Sequence, residues 1–69
     1  MADSKPAADF LIENHGSLFL FYPQNPTAEE HIRSNVADDA LWAGDALVVE
    51  PRYAVDLAAQ LSQSGWIVR

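Results

Sequence analysis

A chain of 69 residues with 49% apolar residues, and with ten Asp and Glu against four Lys and Arg for a net charge of −6, has material for one compact core and no more. That charge argues against broad adhesion to nucleic acid or anionic lipid, and no run approaches the ~20 apolar residues that cross a bilayer. The absence of cysteine rules out a disulfide framework and a thiolate zinc site, and a reducing, cytoplasmic setting is the expectation.

Residues 1–9 hold no apolar anchor and are expected to form a flexible leader, with 10–69 as a single domain. Phe10-Leu11-Ile12 runs into Asn14-His15-Gly16, a turn or bulge signal, and residues 17–22, closed by Pro23, predict a strand. Both faces of that strand are apolar, Leu18, Leu20 and Tyr22 on one and Phe19 and Phe21 on the other. Such a strand is covered on both sides or forms part of a binding surface. Thr27-Ala28-Glu29-Glu30 reads as a capping box, with Thr27 as N-cap, opening a helix to about Val36.

Asp38-Asp39 breaks that pattern. Residues 40–42 and 46–50 then predict two strands about a Gly44-Asp45 hairpin. Pro51 suits the first turn of a second helix, along which Ala54, Leu57, Ala58 and Leu61 recur at helical spacing. Gly65 is placed as its C-terminal cap, and residues 66–68 predict a last short strand.

These elements give an α+β fold, a small two-layer sandwich in the ferredoxin-like order β-α-β-β-α-β, with residues 10–13 pairing with or extending the first strand. Strands 17–22 and 46–50 are expected at the centre, with the helices on one face. If Leu41-Trp42 is a loop, the order reduces to β-α-β-α-β with an N-terminal strand extension. The expected core is Leu20, Leu47, Val49, Leu57 and Leu61.

No motif carries catalysis or cofactor binding. His15 and His31 share no carboxylate at metal-ligand spacing. His15-Gly16-Ser17 lacks the Gly-x-Ser-x-Gly elbow of a nucleophilic serine. Aromatic side chains on a ferredoxin-like sheet stack on single-stranded bases in some proteins. Here, with Lys5, Arg33, Arg52 and Arg69 as the only cations, Phe19 and Phe21 belong to the core or to a protein interface. The chain is therefore expected to act by binding, as a monomer, and not as an enzyme.

The stretch from Glu13-Asn14-His15-Gly16-Ser17 through Asp39 and Trp42-Ala43-Gly44-Asp45 to Val48-Val49-Glu50-Pro51-Arg52-Tyr53 and Ser64-Gly65-Trp66 resembles short acidic proteins of proteobacterial phages and mobile elements. Anti-CRISPR inhibitors are found among these, and the chain is similar in size and character to a type I-C anti-CRISPR protein. The resemblance implies work inside a bacterial host cell. Together with the charge it gives one concrete expectation, that Glu29, Glu30, Asp38, Asp39 and Asp45 imitate DNA phosphates and block the basic DNA-binding surface of a type I Cas effector subunit. The alternative is an intracellular interaction module, antitoxin-like or for host takeover, that uses an apolar sheet face.

Overall fold

The computed structural model describes residues 7–36 and 39–69. It contains β1 (Phe10–Asn14), β2 (Phe19–Pro23), α1 (Pro26–Ser34), β3 (Leu41–Ala43), β4 (Ala46–Val49) and α2 (Pro51–Gln63). The strands form a four-stranded antiparallel sheet in the order β1-β2-β4-β3, with β2 and β4 inside. The two-layer α+β architecture is present, and the expected β-α-β-β-α-β order is corrected to β-β-α-β-β-α. Leu41-Trp42 lies in a strand, which removes the β-α-β-α-β alternative.

Residues 10–13 pair with the next strand, one of the two expectations for them, while residues 66–68 make a single bridge in place of the expected last strand. Asn14 Oδ1 accepts a hydrogen bond from Gly16 N–H (2.8 Å) and His15 N–H donates to the Leu18 carbonyl (2.8 Å), turning β1 straight back onto β2. A turn this short closes at little entropic cost and places β1 beside β2. The C-terminal segment pairs with β1 instead, parallel, through the single bridge Phe10–Val68. Asp9 N–H and Phe10 N–H both donate to the Ile67 carbonyl (2.8 and 3.1 Å), Ile12 N–H to that of Arg69 (2.8 Å), and Arg69 N–H to that of Phe10 (3.0 Å).

The start of α1 also differs from the expectation. Asn25, not Thr27, is the N-cap: its φ and ψ of −153° and 162° are extended, and its Oδ1 accepts from Ala28 N–H at 2.8 Å. Pro26 decides this, because a proline drives the residue before it into extended backbone and is itself preset for the first helical position. Helix α2 ends in a Schellman arrangement, with Trp66 N–H donating to the Leu61 carbonyl (3.0 Å) and Gly65 N–H to that of Ser62 (3.1 Å). Gly65 adopts a φ of 98° to close it, and Gly44 a φ of 61° in the two-residue β3–β4 turn.

Both helices lie on one face of the sheet. Phe10, Phe21, Leu47 and Val49 from the strands pack with Ala28 and Ile32 of α1 and Ala54 and Leu61 of α2. Ala28 and Ile32 are four apart on α1, so a thin stripe suffices to seat it. Trp66 meets Phe10 edge-on (centroids 5.6 Å apart) and lies 4.8 Å from the His31 ring, closing the space between α1 and the C-terminal segment. Leu47, Val49 and Leu61 are buried as expected, Leu57 is half-buried against the core, and Leu20 lies on the opposite face. Phe10 and Phe21, fully buried, take the central place.

Candidate functional site: the uncovered sheet face

Residues opposed in an antiparallel pair project from the same face. The registers Leu11–Tyr22, Glu13–Leu20, Leu20–Val48, Leu41–Val48 and Ala43–Ala46 therefore place Leu11, Leu20, Tyr22, Leu41 and Val48 together on the face turned away from the helices. Leu41 is 69% exposed and Leu11 41%, while Leu20, Tyr22 and Val48 are half-buried by one another and by their neighbours. No described helix covers them.

The rings of Phe19 and Phe21 point the other way, into the core, which leaves Leu20 and Tyr22 of the same strand on the uncovered face. The signal was present as alternation. Residues 18, 20 and 22 are apolar, but the choice of face depended on which side the helices took.

Glu13 is the only charged residue in the four strands, and no Lys or Arg lies in any of them. Its Oε1 accepts from the Tyr22 hydroxyl at 3.3 Å and lies 2.9 Å from His15 Nε2. Partial desolvation, then the Glu13 charge and the hydrogen bond to it, raise the Tyr22 hydroxyl pKa above the ordinary 10.0. The ring keeps its proton at neutral pH and offers an apolar flank with one polar tip, a side chain suited to a protein interface.

The carboxylates singled out from the sequence are divided between two ends of the sheet. The pairs Ala43–Ala46 and Phe21–Leu47 put Asp45 beside the end of β2 from which the chain passes into α1, where Glu29 and Glu30 stand. Glu29 is ion-paired with Arg33 (3.1 Å), whose guanidinium also lies 4.2 Å over the Trp42 ring. Glu30 and Asp45 are exposed and form no ion pair among the described residues. Asp39 is exposed and precedes β3 at the other end, roughly one β4 length or ~13 Å away. Asp38 lies outside the described residues.

Among the described residues no group of three or more His, Asp or Glu could hold a metal ion, and no helix is long and apolar enough to cross a membrane. Comparison of the chain with protein-family models, curated proteins and solved structures returns no match.

Proposed function

We propose that this protein works by binding another protein, and that its docking surface is the uncovered sheet face. The observation that carries the reading is the patch of Leu11, Leu20, Tyr22, Leu41 and Val48, on strands that contain no cation. A contiguous apolar patch rimmed by polar groups is a common mark of an interaction site. The partner surface that fits is apolar at its centre and basic around it, because Glu13 lies on the face and the chain carries a net charge of −6.

Size bears on the partner. Four strands ~4.8 Å apart and three to five residues long present roughly 200–300 Å² of sheet face, against about 800 Å² per partner in a stable complex. Face-to-face stacking of two copies is too small for a tight homodimer, so the partner engages the rim as well. The test is co-purification from cell lysate with the parent protein and with a Leu11→Glu, Leu41→Glu double variant, both at exposed positions. A partner held by the parent and lost by the variant supports the reading; one retained by a folded double variant overturns it.

A narrower second reading is that the partner surface is one that normally holds DNA, such as that of a type I CRISPR effector. Glu30 and Asp45, exposed at one end and in no ion pair among the described residues, favour it, as does the resemblance to small acidic phage proteins. Its test is competition with target DNA for purified effector across a salt series. Simultaneous binding of DNA and protein excludes blockade of that surface.

A further inference from the structure

Beside the sheet face, and sharing Leu41 and Val48 with it, lies a groove of about 760 Å³ between α2 and the β3–β4 edge. Its apolar lining includes Leu41 and Leu57, and its polar lining includes Asp39, Glu50, Tyr53 and Asp56. No Lys or Arg lines it among the described residues. We propose that this groove receives a segment of the partner protein in which an apolar side chain is flanked by Arg or Lys. The inference rests on the sheet-face reading, which it extends by stating the chemistry of what docks at the rim.

Charge complementarity selects this occupant. Glu50 is taken by Arg52 (3.3 Å), whereas Asp39 and Asp56 form no ion pair among the described residues. They stand above an apolar floor, so an incoming apolar side chain buries area while a cation beside it meets a carboxylate. A second carboxylate or an uncharged polar segment gains neither. The Arg52 guanidinium lies 4.9 Å over the Tyr53 ring while pairing with Glu50, so that lip is already engaged and an incoming cation is left to Asp39 and Asp56. Leu41 is common to the groove and the face, so one partner reaches both without a gap.

The test is an amide chemical-shift titration of the whole 69-residue chain with a twelve-residue peptide of alternating Arg and Leu. Peptides with Glu in place of Arg, or Gly in place of Leu, serve as controls. Saturable shifts centred on Asp39, Tyr53, Asp56 and Leu57, absent with both controls, are expected. Asp39→Asn with Asp56→Asn should weaken the affinity at least tenfold with spectral dispersion intact, and Glu29→Gln with Glu30→Gln should leave it within twofold. Absence of saturable binding, or equal affinity of a folded Asp39, Asp56 variant, overturns the groove. Shifts confined to Leu11, Leu20 and Tyr22 also overturn it and leave the sheet-face reading standing. Shifts in α2 together with a Leu11→Glu variant, altered on the face and not in the groove, that still co-purifies with its partner uphold the groove against the face.

Discussion

Asn25 Nδ2 donates to Asp9 Oδ1 at 3.0 Å, so the residue that caps α1 is itself held by the residue preceding β1. The other Asp9 oxygen accepts from Ile67 N–H at 2.9 Å. One part-buried carboxylate thus fixes the start of a helix and the end of the chain onto the same corner of the sheet.

That corner is open to a double-mutant test. Asp9→Ala should cost about 1–3 kcal/mol, because it leaves the Asn25 amide and the Ile67 N–H without their acceptors. Asn25→Ala should cost about 0.5–2 kcal/mol as a lost cap. In urea denaturation the pair should be non-additive by at least ~0.5 kcal/mol, as residues sharing one network are. Thr27→Ala should lie within about 0.5 kcal/mol of the parent, since Thr27 is exposed inside the first turn. A larger loss at Thr27 than at Asn25 would return the cap to Thr27.

The two faces of β2 should respond differently to truncation. Phe21→Ala should cost about 3–5 kcal/mol, since the ring is fully buried between β4 and the helices. A chain of this length has roughly 3–10 kcal/mol in total, so that variant is expected to be largely unfolded by circular dichroism. Leu20→Ala, on the uncovered face, should remain folded with a thermal midpoint well above that of Phe21→Ala. Equal losses would mean that something covers the Leu20 side.

Gly65 is a site where a single methyl group is informative. Nothing lies within 4 Å of a Cβ built there, so only its φ of 98° resists a side chain. Gly65→Ala should cost about 1–2 kcal/mol through backbone strain, and Gly65→Asn less, because Asn tolerates left-handed backbone. Melting curves for the two variants should separate in that order.

Tyr22 should titrate late. Ultraviolet difference absorbance of the tyrosinate band should place its midpoint above 10.0, and Glu13→Gln should lower it by removing both the charge and the acceptor. The folded state binds this proton more tightly than the unfolded chain does. The associated stability is therefore fully present below the unfolded value and is lost as pH rises past it through the raised folded one. A midpoint unmoved by Glu13→Gln would disconnect the two side chains.

Much of this architecture was legible because its signals are local. The Gly44-Asp45 hairpin, the Pro51 start of α2 and the Gly65 stop each rest on dihedral angles that particular residues favour. The start of α1 was misread because Thr27-Ala28-Glu29-Glu30 fits a capping box, while the stronger constraint of Pro26 on Asn25 lies two residues earlier. Strand alternation showed that Leu20 and Phe21 face opposite ways, but not which of them meets the helices. That depends on where α1 and α2 land, a non-local outcome, and it moved both Leu20 and the candidate docking surface from one side of the sheet to the other. Glu29 and Glu30 were legible as the opening of a helix, and Asp39 and Asp45 as turn residues; the separation of Asp39 from the other three followed only from the strand register.

The C-terminal segment runs parallel to β1, and this governs how the molecule meets mechanical tension. A pull between Asp9 and Arg69 acts along two parallel neighbours from opposite ends, so it loads their backbone hydrogen bonds and the Asp9 contact to Ile67 N–H together, in shear. An antiparallel edge pulled from adjacent ends would instead open one bond at a time. In a force-extension experiment with handles at these two positions, this short seam should therefore yield as a unit, before the hairpins behind it come apart.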